Sequence, residues 1–168
     1  TTLLNQIIGN VKPGSGDITY KGMSLVKNSK VARELVSMMP QFHIPLEGVT
    51  VRQSIESILR IKGVSEKQIH LYTKKVLKDL DIEQWADRAG NKLSGGLQRL
   101  TSFAMAVAYP SDIILLDEPT NDVDPIRRKL IWKYMRELTK NGHIIFVVTH
   151  NLLEVEQYTD RYILMNKG

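Results

Sequence analysis

The sequence predicts an α/β fold in which a mostly parallel sheet forms the core and a helical subdomain is inserted into it. Strand-like and helix-like segments alternate at both ends of the chain, whereas the middle carries only helical periodicity. The runs DIILLD and HIIFVVTH are continuously apolar between polar ends, which is typical of parallel strands buried on both faces. We therefore expect residues 1–40 and 109–168 to form the α/β core and residues 41–108 to form the helical subdomain.

Local patterns predict the first elements. The segment TTLLNQII spaces its apolar residues along one face of a helix, and its two threonines can cap the start. Proline and glycine predict a turn over residues 12–16, and a short strand is expected over residues 17–20. A second strand is expected over residues 35–39 and should end at Pro40.

Three helices are expected in the middle of the chain. VRQSIESILRIKG and SEKQIHLYTKKVLKDLDI both carry helical periodicity, and Gly63 separates them. A third helix should follow Gly95 and Gly96 and run through LQRLTSFAMAVA.

The last third of the chain returns to alternating strands and helices. After the strand DIILLD, PIRRKLIWKYMRELTKNG predicts a helix with Pro125 in its first turn and Gly142 at its end. HIIFVVTH is expected to be a second buried strand, LLEVEQY a short helix and RYILMN a last strand.

Composition limits the class of protein. The 168 residues are 42% hydrophobic and 24% charged, which is typical of one soluble globular domain. No apolar run is long enough to span a bilayer, and the absence of cysteine excludes disulfides and cysteine-ligated zinc. The net charge of +5 is unevenly spread: the first 75 residues hold 11 Lys and Arg against 5 Asp and Glu, and the rest hold 12 against 13. An anionic ligand, nucleic acid or lipid would suit this excess, but the scattered lysines favour a merely solvated surface.

Two adjacent carboxylates follow the buried run IILL. Asp117 and Glu118 would lie at the carboxyl end of a parallel strand, where open α/β sheets bind ligands. One carboxylate could bind Mg²⁺ while the other orients or deprotonates a water. A lone Asp-Glu pair more often only begins a polar loop, so this pair is weak evidence by itself.

Three further features are equally weak when taken singly. Ser94, Gly95 and Gly96 would expose backbone N–H groups at the start of a helix, which suits a phosphate but also suits a simple turn. His150 ends a strand and could donate to a phosphate oxygen, although such a histidine is often a surface residue. Gln41 follows a strand and could contact a metal or a water, but is usually just solvated.

The order of these features along the chain is far more informative than any one of them. Gln41 is followed by LSGGLQRL, DIILLDEPT, NDVD and a Thr-His pair ending at His150. This arrangement resembles the nucleotide-binding domain of ATP-binding cassette (ABC) ATPases over nearly the whole chain. LSGGLQRL resembles the signature motif, DIILLDEP the Walker B strand and NDVD the D-loop, while Gln41 and His150 match the Q-loop glutamine and the switch histidine. The resemblance implies a P-loop NTPase-like fold.

The resemblance implies ATP and Mg²⁺ as ligands and assigns roles within one chain. Thr1 and Asp117 would bind Mg²⁺, and Gln41 would contact the metal or the attacking water. Glu118 would be the catalytic base that polarises this water, and His150 would hold the γ-phosphate. Such positioning and charge neutralisation carry most of the catalysis of phosphoryl transfer.

The resemblance also implies that each complete site needs two chains. Ser94, Gly95 and Gly96 would cap the γ-phosphate bound by the opposite subunit, and Asp124 would order the dimer interface. Thr2 would join Thr1 among the ATP-binding residues. A homodimer or a heterodimer of nucleotide-binding domains is therefore expected.

The start of the chain also matches the family. A P-loop, G-x-x-x-x-G-K-[ST], lies in this family ahead of a helix that continues T-L-L, and Thr1 matches its last position. We therefore expect an internal fragment of a larger cassette, without the P-loop and the N-terminal strands, that by itself binds ATP–Mg²⁺ poorly and turns over negligibly. Leu97 stands where the family often has Gln, and NDVD where GLD is common, which leaves the subfamily open.

The expected function is that of the ATP-hydrolysing subunit of an ABC transporter. FHIPLEGVTVRQSI, after Gln41, resembles the region where transporter cassettes receive a separate membrane permease, so the protein should lie at the cytoplasmic face of the membrane. The pattern is most similar to bacterial export-type cassettes, with substrate and direction open, and no direct contact with nucleic acid is expected. One alternative is a soluble ribosome-associated cassette factor, since EPTN resembles the motif of that group. The other is a non-catalytic partner that lends LSGG to another subunit, but the presence of Glu118 argues against it.

Overall fold

A computed structural model describes residues 1–42 and 44–165. The described helices are α1 Thr2–Ile7, α2 Ser29–Leu35, α3 Val51–Ile61, α4 Glu66–Asp79, α5 Gly95–Val107, α6 Pro125–Lys140 and α7 Leu152–Tyr158. The described strands are β1 Thr19–Tyr20, β2 Met23–Ser24, β3 Val36–Met39, β4 Ile113–Asp117 and β5 Ile144–Val148. In these ranges no helix has both the length and the apolar character needed to cross a bilayer.

A three-stranded parallel sheet positions the polar residues of interest. Its strand order is β3-β4-β5, with Met39 paired to Leu116 and Asp117 paired to Val148. All five residues of the central strand β4 are buried, as its continuous apolar sequence predicts. Because the three strands are parallel, their carboxyl ends lie at one edge of the sheet. The α/β fold with a parallel sheet is therefore confirmed.

Helices cover both faces of this sheet because successive side chains of β4 point to opposite sides. Ile113 and Leu115 pack into a smaller core with α1 and α2, whereas Ile114 and Leu116 pack into a larger core formed mainly by α3 to α6. Phe103 of α5 is fully buried in the larger core. The sheet is thus the middle layer of a three-layer arrangement.

The segment between β3 and β4 contains α3, α4 and α5, as expected from its helical periodicity. A capping box begins α3: the Gln53 N–H donates to Thr50 Oγ1 at 3.1 Å, and the Thr50 N–H donates to Gln53 Oε1 at 2.9 Å. Gly63 has a φ of +74° between α3 and α4, a conformation that other residues rarely adopt. The three predicted helices are confirmed.

Two expectations for the end of the chain are wrong. Strand β5 is not fully buried, since Ile144 and Phe146 are each about two-fifths exposed. It pairs only with β4 in the described part of the chain, so β5 is an edge strand. Residues 161–165 form no strand, because they pair with none of the described strands, and their apolar side chains are exposed. Asn166, the last residue of the expected strand, lies outside the described residues.

Two elements near the start were not expected. Helix α2 forms in the polar sequence before β3 and buries only Ala32. A hairpin joins β1 to β2, where Lys21 and Gly22 have φ values of +49° and +79°. Two consecutive positive φ values are typical of the tight turns that join antiparallel strands.

A half-buried lysine connects the helical segment to the sheet. Lys62, at the end of α3, donates through Nζ to Ser37 Oγ at 2.6 Å, to the Tyr109 carbonyl at 2.8 Å and to Ser111 Oγ at 3.2 Å. Burial lowers the pKa of this ammonium from 10.5 to about 8.

Lys62 should make stability depend on pH. The unfolded chain binds more protons at this position than the folded chain between the folded pKa of about 8 and the unfolded value of 10.5. The free energy of unfolding should therefore rise with pH across this window and be lowest below it. Lys62→Met should lack this contribution, so urea unfolding of both proteins from about pH 7 to about pH 10.5 should give diverging curves. Parallel curves would show that the folded-state pKa of Lys62 is not lowered.

Candidate functional site

The carboxyl end of β4 carries a buried carboxylate. Asp117 is 1% exposed, and its Oδ2 accepts a hydrogen bond from Thr1 Oγ1 at 2.6 Å. The apolar strand places Asp117 at the sheet edge, while Thr1 immediately precedes α1. A hydroxyl beside a carboxylate supplies the hard oxygen ligands that Mg²⁺ prefers, so these two residues fit such an ion.

Glu118 follows in an unusual conformation. Its φ is +53°, which costs about 1–3 kcal/mol for a residue other than glycine. Its backbone N–H donates to the Val148 carbonyl of β5 at 2.8 Å. One carboxylate oxygen of Glu118 lies 2.9 Å from Nδ1 of His150, whose side chain is largely exposed. The strained backbone thus directs Glu118 toward His150 across the edge of the sheet.

Glu118 and His150 line an open cleft of about 430 Å³. Asn121 of the loop after β4, Thr149 of the loop after β5 and Arg128 of α6 complete much of its lining. These three were not predicted as site residues. EPTN and THN offered a signal for Asn121 and Thr149, since polar residues directly after two parallel strands meet at one sheet edge.

Gln41 lies two residues beyond the end of β3, at the same edge as Asp117. Its backbone carbonyl accepts a hydrogen bond from Arg99 Nη1 of α5 at 2.5 Å. The segment that leaves the sheet is therefore tied to the helix that begins at Gly95.

The two glycines at the start of α5 differ in their surroundings. Ser94 precedes the helix and makes no capping hydrogen bond with its side chain. A Cβ at Gly95 would meet nothing within 4 Å, whereas a Cβ at Gly96 would overlap the carbonyl oxygen of Asp122. Gly96 is thus required by packing within the chain, and Gly95 faces open space. Neither glycine is among the described residues that line the cleft of Glu118 and His150.

This difference predicts unequal effects of the same substitution. Gly96→Ala should lower the free energy of unfolding by about 1–3 kcal/mol, because the Asp122 backbone must move. Gly95→Ala should leave it unchanged or slightly raised, because alanine favours a helix. Urea unfolding of the two variants checks this, and an equal loss in both would contradict the packing of Gly96 on Asp122.

Asp124 has a local structural role. Its Oδ1 accepts from the N–H groups of Ile126 and Arg127, which caps α6, and its Oδ2 accepts from the Arg127 guanidinium at 3.1 Å. Partial burial raises the pKa of Asp124, but these hydrogen bonds outweigh it and lower the pKa overall. Arg127 also pairs with Asp81 at 2.8 Å and lies over the Trp85 ring. A further role of Asp124 at a dimer interface stays a prediction.

The structure brings part of the predicted site together. Thr1 contacts Asp117, and Glu118 contacts His150. Both contacts lie at the carboxyl edge of the sheet, where Gln41 follows the end of β3. Thr2 begins α1 and is exposed. The start of α5, apart from these contacts, carries Ser94, Gly95 and Gly96. It lies beside the loop that contains Asp122.

Known sequences resemble this chain over its whole length. A family model described as "ABC transporter" matches residues 1–121. The whole chain is 33% identical to the Nod factor export ATP-binding protein I of Burkholderia lata and 29% identical to the human ATP-binding cassette sub-family A member 6. The chain spans 55% of the length of the first relative and 10% of the second.

Solved structures agree with the fold. An ATP-binding subunit of an ABC transporter superposes with a TM-score of 0.84 at 23% identity, over 95% of this chain and 66% of that chain. A dimeric ATP-binding cassette in a post-hydrolysis state, bound to ADP and Pi, superposes with a TM-score of 0.79 at 26% identity, over 90% of this chain and 70% of that chain. The family match, the fold and the order of its motifs together show that this chain belongs to the ABC transporter family.

Proposed function

We propose that this chain belongs to the ATP-binding and ATP-hydrolysing subunit of an ABC transporter. The contact between Glu118 and His150, beside the Thr1–Asp117 pair, is the observation that carries the proposal. One sheet edge thus carries a carboxylate, an imidazole and two oxygen ligands suited to Mg²⁺. These groups suit the attack of water on a phosphate. The relative from Burkholderia lata is named as an export ATP-binding protein, and we propose export as the direction.

The side chains divide the reaction between them. The Thr1 hydroxyl and the Asp117 carboxylate would hold Mg²⁺, which would supply positive charge to the phosphates of ATP. The Glu118 side chain is only 12% exposed and, as the base, would accept a proton from the attacking water. His150 lies within hydrogen-bond distance of Glu118 through Nδ1, and its exposed ring would donate to the γ-phosphate. Gln41 would contact the metal or the water from the neighbouring strand.

A second chain would complete the site. The backbone at Gly95 faces open space at the N-terminal end of the thirteen-residue helix α5, where N–H groups and the helix dipole favour an anion. Because Ser94 and the two glycines do not line the cleft of their own chain, we propose that they cap the γ-phosphate held by the other subunit. The division into a core of residues 1–40 and 109–168 and a helical subdomain of residues 41–108 is part of this proposal.

Removal of the metal tests the proposed reaction in the natural protein. Conversion of ATP to ADP and phosphate should stop in EDTA and return when Mg²⁺ is added. Asp117→Asn should raise the Mg²⁺ concentration for half-maximal activity by roughly tenfold or more. Asp160→Asn makes the same change at an exposed aspartate that does not line the cleft, and should behave as wild type. Hydrolysis that persists in EDTA, or equal effects of both variants, would overturn the proposal.

An exposed apolar segment directly after Gln41 is proposed to receive the permease. Phe42 is 81%, Ile44 87% and Leu46 72% exposed, an unusual concentration of large apolar side chains on one surface segment. Arg99 ties the backbone of Gln41 to α5, so force on this segment would reach the helix that carries Gly95. We propose that a helix of the membrane permease docks here and holds the protein at the cytoplasmic face of the membrane.

The absence of cysteine makes this docking simple to test. Ile44→Cys, in membranes that contain the permease, should cross-link to it through a short thiol-reactive reagent. Ile61→Cys is a matched control, because Ile61 is also exposed, at 80%. It is the last residue of α3 and lies about 15 Å along the helix from Val51, the first residue. Equal cross-linking from both positions, or none from Ile44→Cys, would contradict this docking site.

A further inference from the structure

A second carboxylate near the site has no part in the proposed reaction. Glu154 on α7 is 9% exposed, and its Oε2 accepts a hydrogen bond from Thr120 Oγ1 at 2.7 Å. Its other oxygen, Oε1, lies 3.7 Å from Nη1 of Arg128. Burying a carboxylate is costly unless it is paired, so these two contacts account for its presence inside the fold.

These contacts join the loop after β4 to the helix after β5. Thr120 lies two residues after Glu118, on the loop that follows β4, whereas Glu154 lies four residues after His150, on the helix that follows β5. The hydrogen bond therefore fixes the segment of Glu118 to the segment of His150, independently of the direct contact between those two side chains.

Arg128 extends the connection to the loop before α6. Its Nε donates to the Val123 carbonyl at 2.7 Å, while its guanidinium also faces Glu154. Val123 follows Asp122, the residue against which Gly96 packs. One buried carboxylate thus fastens the loop after β4 at two points, Thr120 and Val123.

The backbone at Glu118 needs such support. Its left-handed φ of +53° is a strained conformation, which persists only where the surrounding structure holds it. The hydrogen bond from the Glu118 N–H to Val148 fixes one side of the residue, and the Thr120–Glu154 hydrogen bond fixes the chain two residues further on.

We propose that Glu154 is a positioning residue for ATP hydrolysis, which acts through Thr120 and Arg128 to hold Glu118 and His150 in register. The inference rests on the proposed function, since it assigns Glu118 and His150 to the reaction. Glu154 itself is not among the described residues that line the cleft.

Steady-state kinetics of the natural protein test this role. Glu154→Ala should lower kcat for ATP hydrolysis at least about tenfold, because a small displacement of the reacting groups is costly, while the KM for ATP stays nearly unchanged. Glu154→Gln keeps an acceptor for Thr120 and should retain most of the activity. Glu156→Ala removes an exposed glutamate from the same helix and should match wild type.

A double-mutant cycle on kcat distinguishes a positioning role of Glu154 from a merely structural role. Thr120→Val should lower kcat as Glu154→Ala does, Thr120→Ser should restore it, and the double variant should be no slower than Glu154→Ala alone. Thr120→Val, which removes only a hydroxyl, keeps the test decisive if Glu154→Ala fails to fold.

The possible results separate this inference from the proposed function. A lowered melting temperature with an unchanged kcat in Glu154→Ala or Thr120→Val, or losses that multiply in the double variant, would overturn the role of Glu154 alone. A wild-type protein that hydrolyses no ATP with Mg²⁺ would overturn the proposed function and this inference with it.

Discussion

Replacing Glu118 with glutamine should slow ATP hydrolysis by roughly a hundredfold to ten-thousandfold while ATP binding stays nearly unchanged. Glutamine keeps the length of the side chain and an oxygen near Nδ1 of His150, but it cannot accept a proton from water. Thr1 and Asp117 would still hold Mg²⁺. Phosphate release and calorimetric ATP titration of the natural protein measure the two quantities separately.

Two comparisons make this result specific. Glu156→Gln makes the same change at an exposed glutamate of α7 and should leave the rate unchanged. Because the bound ATP is hydrolysed only slowly, Glu118→Gln should accumulate as an ATP-bound dimer on size-exclusion chromatography. Asp117→Asn should weaken metal binding and so prevent that dimer from forming. Turnover of the Glu118→Gln protein at the wild-type rate would show that the base lies elsewhere.

Gly95→Asp should abolish hydrolysis without harming the fold or ATP binding by the single chain. A Cβ at Gly95 meets no atom within 4 Å, so the new carboxylate is accommodated by the monomer. In the dimer it would lie where the γ-phosphate of the other subunit is expected, and like charges repel. Phosphate release should therefore be lost, whereas ATP affinity and the free energy of unfolding in urea should stay unchanged.

The charge and the position are controlled separately. Gly95→Ala fills the same open space without charge and should retain most of the activity. Gly14→Asp adds the same charge at another glycine with no atom within 4 Å and should be silent. Parallel loss of ATP binding and hydrolysis in Gly95→Asp would contradict a site shared between two chains.

Much of the candidate site was predictable because its signals are local. The apolar run of β4 fixes both its burial and the position of Asp117 and Glu118 after it. Parallel pairing then brings Gln41 and His150 to the same edge, as the alternation of strands and helices suggests.

Other features depend on contacts that a linear pattern does not contain. The partial exposure of β5 follows from its place at the edge of the sheet, while its apolar sequence alone favours a central position. The pairing of Glu154 with Thr120 joins residues 34 positions apart. Asp124 was expected from the resemblance to act at an interface, but its capping contacts could have been predicted from the Pro125 that follows it.

The most direct test of the account is to mix two inactive variants of the natural protein. A heterodimer of Gly95→Asp and Glu118→Gln contains one site with an intact Glu118 from the first chain and an intact Gly95 from the second. Random pairing of equal amounts should therefore restore hydrolysis to about a quarter of the wild-type rate, because the two sites of a symmetric dimer are equivalent. Activity no higher than that of the separate variants would contradict the claim that two chains together form the ATP site.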